Sequence, residues 1–509
     1  LLQILLLLVT IDAKFRIKNQ NSARPKQDRP EKIYRHSFGR KNVITKPIVL
    51  TIYFVIKKCE RSFQMESNEK LKVQYSLEVV PKKEQQIASL QIALLWIGAG
   101  LGLAAIFSGN TLAGLGLTNG LLTIIVGMLV GSVPMYFMSR IGTREGVSGM
   151  IATRASFGIR GSFFPSLCNA LQLIGWTAVM ILMAAEACVS LKFAGILGNR
   201  DFWIILIGLI TTVNALLKHN HLKWFQIFTV GATLILSIIM TYAVLSTVNV
   251  ADLMDKKPKG HLTFSLGLDY VIGMCLSWVP LVADYSRYAR NINGAAHATY
   301  WGYALSSIWM YFVGLLCTIA TGLWNASPIP IMGALGLGIP GLLIIFFSTV
   351  TTAFLDVFSA GVSASNLFPK FSERRLVFIA GVSGTLISLV FPIDKYQSFL
   401  LILGAVFIPI ESIVLVDYFL IRKHLKLADL TKPEGSYWYR GGVNLVAFVA
   451  FVVGFALYEV SYFQAWPIGS SFISLIITAV LYYFLMRLLH RDQFSKVRSS
   501  GIYKNHAAG

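Results

Sequence analysis

The sequence predicts an all-α polytopic membrane protein of about twelve transmembrane helices. Three observations predict it. From about Ser89 onward apolar runs recur, among them 94–117, 121–138, 178–196 and 342–367. Each is long enough for the ~20 helical residues that cross a ~30 Å hydrocarbon core. Short loops separate the runs, and most Lys and Arg fall on every second loop. The mean hydropathy is +0.64, with 55% hydrophobic and only 14% charged residues. Inside lipid, only helices and closed barrels satisfy the backbone, and runs of this length read as helices.

Such a composition excludes an ordinary soluble enzyme. The formal charge of +21 does not point to nucleic acid, because the basic residues sit in loops and tails beside the spans. That is the positive-inside pattern. Of the five cysteines, Cys168, Cys188, Cys275 and Cys317 lie inside apolar segments, and with Cys59 they show no paired spacing. Neither a disulfide framework nor a metal site is expected.

The first methionine is Met65. Residues 1–64 are basic and lack sustained periodicity, and their apolar stretches at 4–9 and 48–56 are too short to span. Glu60-Arg61-Ser62 is encodable by GAA-AGG-AGY, a purine-rich ribosome-binding sequence a few nucleotides before the Met65 codon. The expectation is that 1–64 is translated upstream DNA in a prokaryotic gene, the rival being a disordered basic arm on anionic lipid. The segment 65–88 then forms a cytoplasmic lead-in, 89–490 the membrane domain and 491–509 a cytoplasmic tail.

In order, the spans are expected at 89–113, 118–138, 162–194, 202–217, 222–246, 266–286, 299–322, 339–367, 375–391, 398–421, 441–459 and 471–490. Arg140, Arg144, Arg154 and Arg160, Lys218 and Lys223, Arg287 and Arg290, Lys370, Arg374 and Arg375, and Arg422 to Arg440 mark one side. The opposite loops 322–339 and 460–470 carry no Lys or Arg. Lys256-Lys257-Lys259 is the main exception. Both termini are therefore expected in the cytoplasm of a multi-pass cell-membrane protein. His219 and His221 fall in an inner loop and read as solvated.

Transporter sites gather where spans are interrupted near the midplane. Span 1 carries Trp96-Ile97-Gly98-Ala99-Gly100-Leu101-Gly102. Its alternating glycines weaken a helix by roughly 1 kcal/mol each, or else serve close helix contact. Span 6 carries Gly273 and, seven residues on, Pro280, which removes an amide donor. These two spans begin two five-span halves, so matching interruptions point to an inverted repeat with its site at the breaks.

Span 8 places Ser348, Thr349, Thr351 and Thr352 one turn before Asp356. Hydroxyls and free carbonyls suit a hard cation such as sodium, although threonines also bond back to their own helix. A carboxylate at this depth costs several kcal/mol unless it faces a cavity or partner, so Asp356 reads as functional. In span 3, Gln172 and Trp176 are four apart and share a face, fit for a planar heterocycle. Glu186 and Glu411 are further intramembrane acids with undecided roles.

Gln172-Leu173-Ile174-Gly175-Trp176, Ala283-Asp284-Tyr285-Ser286-Arg287-Tyr288-Ala289-Arg290, Thr351-Thr352 through Phe358-Ser359-Ala360-Gly361, and Val416-Asp417-Tyr418-Phe419 resemble the nucleobase:cation symporter-1 family. The resemblance covers about residues 75–490. It is nearest the cytosine permease branch and, within it, the hydroxymethylpyrimidine transporters of thiamine salvage. It implies the leucine-transporter-type fold, two inverted five-helix repeats plus two extra helices. It also implies symport of a small planar heterocycle with Na+ or H+ by alternating access. By position, Trp176 would stack on the ring, and a broken stretch Cys275 to Ser277 would offer hydrogen bonds. Carbonyls near Gly98 and Leu101 with the hydroxyls of Thr351 and Thr352 would hold sodium.

Some positions depart from the family. Relatives tend to have an aromatic where Cys275 stands, and here Trp278 is expected to cover that face of the ring. Cytosine permeases carry a glutamine three residues before the stacking tryptophan. Here that residue is Leu173, with Gln172 one step earlier. Their span 8 is rich in asparagine, whereas Asp356 is the only strongly polar residue in 353–358. A carboxylate suits a basic amidine edge, as in a 4-aminopyrimidine.

No Walker-type loop, nucleophile–base cluster or regular pore-lining polar face appears in the sequence. ATP-driven transport, catalysis and a channel are thereby disfavoured. The expected partners are the heterocycle and the lipid bilayer, with no nucleic acid and no obligatory protein.

Overall fold

The computed structural model describes residues 77–190, 194–217, 262–324, 338–392 and 395–489, with scattered positions between 230 and 256. Within 338–351 it describes the side chains of Phe346, Ser348 and Thr349 alone. The chain divides into Leu1–Lys72 and Val73–Gly509, and all described residues lie in the second unit. The expectations for the basic tail, the C-terminal tail, the 218–223 loop and most of span 5 lie outside the described residues.

Fourteen helices follow in order among the described residues. Span 1 is α1 (Ser89–Gly100) and α2 (Leu103–Leu112), and span 2 is α3 (Gly116–Gly131) and α4 (Val133–Glu145). A short helix, α5 (Gly149–Phe157), leads to α6 (Phe163–Ser190) and α7 (Arg200–Leu216). The second half has α8 (Phe264–Ser286), α9 (Ile292–Thr321), α10 (Gly338–Leu367), α11 (Glu373–Ser388) and α12 (Tyr396–Val416). Last come α13 (Leu445–Phe463) and α14 (Ser470–Leu489). Seven helical stretches are long and apolar enough to cross a membrane among the described residues, the first taking in α2 to α4 as Leu103–Glu145.

Two bodies share the packing. In one, α1 and α2 pack along α9, while α3 and α4 pack on α8 and α9. In the other, α6 and α10 form the main contact, with α7 and α11 against both. Direct contact between the bodies is thin, mainly α10 on α1 and α2. Helix α12 runs beside α8 and also meets α13 and α14. Burial sorts the helices the same way. The apolar window of α8 is 89% buried, against 33% for α13 and 22% for α14. The last two are therefore peripheral additions to a repeat-built core.

Close approach explains several glycines. A Cβ on Gly109 would lie 2.1 Å from the Tyr311 carbonyl oxygen, and one on Gly314 would lie 2.2 Å from that of Ile106. The α2 and α9 backbones touch at both points, the small-residue contact of membrane helices. Beside them the Thr318 hydroxyl donates to Asn110 Oδ1 at 2.7 Å.

Span 1 is interrupted as expected. Helix α1 stops at Gly100, Gly102 is extended at φ −66° and ψ 148°, and α2 restarts at Leu103. Span 6 is not. Helix α8 runs unbroken through Pro280, which corrects the expectation of a broken stretch at Cys275 to Ser277. Proline removes the donor to the Leu276 carbonyl, and side-chain bonds to the carbonyls on either side of it hold the turn. The Ser277 hydroxyl donates to the Met274 carbonyl at 2.7 Å, and Gln172 Nε2 donates to the Ser277 carbonyl at 2.9 Å.

Two basic residues on the side opposite the basic loops, Lys256 and Arg200, also find roles. Lys256 Nζ donates to the carbonyls of Ile319 and Ala320 at 3.0 and 3.3 Å, capping the C-terminus of α9. Arg200 lies 3.7 Å from Glu186 at the mouth of α6 and α7, so Glu186 is a half-exposed ion-pair partner.

Candidate substrate and ion site

The interruption in span 1 opens on a small cavity. Ala99 and Gly102 at the break, with Ala104 and Ala105 of α2, form one wall. Helix α6 contributes Trp176 and Met180, and α8 contributes Met274 and Trp278. Tyr303 and Ser307 of α9 and Thr352 and Asp356 of α10 complete it. The space open to the centre of a water-sized sphere is about 20 Å³. That admits about one water and no aromatic ring, so the helices must part for a heterocycle to enter.

Asp356 is 2% exposed, and no hydrogen bond or ion pair reaches its carboxylate among the described residues. Trp278 is set at 90° to Trp96, 5.9 Å between ring centroids, and lies 6.1 Å from Tyr303. Trp176 is backed by Phe399 at 5.3 Å and Tyr396 at 6.0 Å. Two indoles, a phenol and a carboxylate thus converge on one apolar space.

The cavity is shut on both sides. At the end away from the basic loops, the Tyr396 hydroxyl meets Ser108 Oγ at 3.1 Å and donates to the Ala104 carbonyl at 3.2 Å. Gln397 adds a bond to Thr111 at 2.9 Å, so the start of α12 is fastened to α2. At the other end, the Tyr285 hydroxyl donates to the Leu355 carbonyl at 3.1 Å, and the Gly149 amide donates to Asp284 Oδ1 at 3.1 Å. The motif 283–290 thus closes the basic-loop side.

A polar chain continues below the cavity between α6 and α10. Asn169 accepts from Gln172 at 2.8 Å and donates to Ser363 at 2.7 Å. Asn366 donates to Ser162 and Ser166 and accepts from Arg154 at 2.9 and 2.6 Å.

Several sequence expectations shift. Trp176, Trp278, Asp356 and Thr352 line the cavity; Gln172, Cys275, Ser277, Gly98 and Leu101 do not. Cys275 faces span 2, with its Sγ 3.5 Å from Met128 Sδ and 3.8 Å from Ser132 Oγ. Residues four apart share a helix face, so Met274 and Trp278 point inward and Cys275 turns aside. Gln172 and Ser277 tie α6 to α8, with Gln172 Oε1 buried and without a hydrogen-bond partner among the described residues. Gly98 packs toward Val230, and Leu101 is buried beside the break.

Thr352 bonds back to the Ser348 carbonyl at 2.7 Å, yet its oxygen faces Gly102 across the cavity and keeps acceptor capacity. Thr349 Oγ1 is buried without a hydrogen-bond partner among the described residues. The Thr351 side chain lies outside the described residues. Glu411 is wholly buried in α12, with neither oxygen hydrogen-bonded among the described residues. Sequence reasoning missed Met180, Met274, Tyr303 and Ser307. Nothing in their spacing sets them apart from ordinary span residues.

Residues 79–483 match the family model described as "Permease for cytosine/purines, uracil, thiamine, allantoin". The chain belongs to this permease family. Its relatives include the hydantoin permease of Microbacterium maritypicum, 23% identical over 399 residues, 74% of this chain and 81% of that protein. The cytosine permease of Escherichia coli K12 is 26% identical over 372 residues, 72% of this chain and 84% of that protein. Among solved structures, the nucleobase-cation-symport-1 transporter Mhp1, closed around bromovinylhydantoin, superposes with a TM-score of 0.73 at 22% identity. That match covers 82% of this chain and 96% of Mhp1. A Na+-coupled sialic acid symporter gives a TM-score of 0.60 at 14% identity, over 83% and 93% of the two chains. The permease therefore shares their all-α fold. It is a membrane transporter of nucleobase-type compounds rather than an enzyme.

Proposed function

We propose that this permease is a secondary symporter that imports a 4-aminopyrimidine, the thiamine precursor hydroxymethylpyrimidine, together with a cation. The observation that carries the reading is Asp356. Its carboxylate shares a cavity wall with the indoles of Trp176 and Trp278 and has no hydrogen-bonding side chain against it among the described residues. An amidine edge presents an exocyclic amine beside a ring nitrogen. A protonated ring donates twice to a carboxylate, or a protonated Asp356 donates to the neutral ring nitrogen while its carbonyl oxygen accepts from the amine. Trp176 and Trp278 supply the faces, and Gln172 with Ser277 holds the wall behind them.

Sodium is the proposed coupling ion, held by Thr352, Thr351 and carbonyls of the interrupted span 1, in the region of Gly98 to Gly102. Proton coupling is the alternative. The basic-loop side is proposed to face the cytoplasm, in line with the positive-inside rule. A second reading, transport of cytosine, hydantoin, allantoin or a purine, draws on the relatives named above.

The test is counterflow in proteoliposomes with labelled hydroxymethylpyrimidine. Wild type should exchange it, and Asp356→Asn should lose exchange while retaining its amount and monodispersity. Unchanged exchange by Asp356→Asn, or exchange of cytosine in preference, would overturn the assignment.

A further inference from the structure

A second hollow, of about 460 Å³, lies away from this site where α3 and α4 meet α8, α12 and α14. Phe137, Leu276, Leu415, Leu420 and Leu475 shape it, and among the described lining residues Ser471 alone has a polar side chain. Val130 and Leu420, 37% and 54% exposed, mark its opening toward the bilayer. Leu276 lies on α8 between Met274 and Trp278 of the candidate site, so one helix forms a wall of both hollows.

The end of the groove nearest the basic loops is ringed by cations. Helix α4 continues from Phe137 to Arg140 and Arg144, three and seven residues on and near one face. Across the groove, Phe419 packs on Phe137 at 5.0 Å, and the chain runs on to exposed Lys423 and His424. Arg144 Nη2 lies 3.0 Å from His424 Nε2. A guanidinium only donates, so the imidazole accepts and the guanidinium keeps its charge. Arg140 donates to Asn293 at 2.7 Å, and Lys82 Nζ sits on the Arg144 carbonyl at 3.1 Å. The acid at this rim, Glu145, is turned inward, where it takes the Tyr418 hydroxyl and lies 4.0 Å from His424.

We propose that this groove binds an acyl chain of an anionic phospholipid from the leaflet on the basic-loop side, with its phosphate on Arg144 and Lys423. An almost wholly apolar slot open to the bilayer suits a hydrocarbon chain. Among the described residues, Arg140, Arg144, Lys82 and Lys423 outnumber Glu84 and the inward-turned Glu145, Asp417 being paired to Arg422 at 2.6 Å, and this excess favours a net negative headgroup over a zwitterionic one. A seated chain also fills space behind α8, where the cavity wall must move.

The test uses the full chain purified in detergent and equilibrated with phosphatidylglycerol and phosphatidylcholine at equal mole fraction, with bound lipid counted by native mass spectrometry. Phosphatidylglycerol should be enriched roughly 25-fold, from about 2 kcal/mol for the two basic groups at the surface. The pair Arg144→Gln and Lys423→Gln should abolish the enrichment. Leu420→Trp, which fills the groove from its exposed edge, should reduce retention of both lipids. Lys370→Gln, on an exposed loop position away from the groove, should leave the enrichment intact and reports on folding. Equal retention of the two lipids by wild type, or enrichment that survives the double substitution, would overturn the proposal and leave annular lipid alone.

Discussion

The Tyr396 hydroxyl is the contact through which α12 closes over the cavity, and its removal has a calculable effect. Tyr396→Phe keeps the ring against Trp176 and Phe107 and deletes the bonds to Ser108 and the Ala104 carbonyl. Each bond is worth about 1 kcal/mol net, and buried partners left unsatisfied add to the loss. The shut state should weaken by about 2 kcal/mol relative to one with α12 swung away. At 1.4 kcal/mol per decade, that is roughly a 25-fold gain in the open population. Ala105 lines the cavity and is 7% exposed. Its replacement by cysteine, with Cys59 and Cys168 changed to alanine, gives a reporter in solubilised protein. Maleimide labelling at position 105 should accelerate 10- to 30-fold in Tyr396→Phe. Ser108→Ala, which removes one bond, should accelerate it less. An unchanged labelling rate in both variants would refute the latch.

Other substitutions test the remaining architecture. Gly149→Ala would set a Cβ 1.9 Å from the Pro280 carbonyl oxygen. Because backbone cannot yield as a side chain does, solubilised yield should fall severely, and a normal yield would contradict the α5–α8 contact. Gly314→Ala meets backbone in the same way, at the Ile106 carbonyl oxygen, and should cost about 3 kcal/mol or more through overpacking, seen as a lower melting temperature in detergent. Arg154→Lys loses the paired bonds to Asn366 and the bond to the Leu430 carbonyl. It should destabilise by roughly 2–3 kcal/mol, again read as a melting temperature, with no change in substrate selectivity.

Much of the architecture was legible because bilayer physics writes it into composition. Twenty-residue apolar runs, basic alternation and the Gly98 to Gly102 segment led to the spans, their order and the break at Gly102. Trp176 and Asp356 were legible for a related reason, since an indole in mid-span and a carboxylate in an apolar run both require explanation, whereas Trp278 came from the family resemblance, as the aromatic in place of the one missing at Cys275. What was illegible depends on which face of a helix looks inward. Cys275 sits one position from Met274, yet about 100° around α8, and only packing against Gly131 and Met128 decides that it leaves the cavity.

The break foreseen at Pro280 failed for a similar reason. The Ser277 hydroxyl and the Gln172 amide, the latter 105 residues away in sequence, bond to the Met274 and Ser277 carbonyls on either side of the Leu276 carbonyl that Pro280 frees, and so hold the turn. Tyr303 and Ser307 look like any other residues of span 7 until α9 is placed against the break. The glycines of span 1 needed two explanations at once. Gly100 abuts α9, where a Cβ would lie 2.0 Å from Ser306 Oγ, and Gly102 is the extended residue between two helices.

The measurement that bears most directly on the central claim is uptake of labelled hydroxymethylpyrimidine and cytosine by cells expressing this chain, with and without a sodium gradient. Sodium-dependent uptake of hydroxymethylpyrimidine, poorly competed by cytosine and lost in Asp356→Asn, is the expected result. Preferential cytosine uptake, with Asp356→Asn unaffected, would contradict the account.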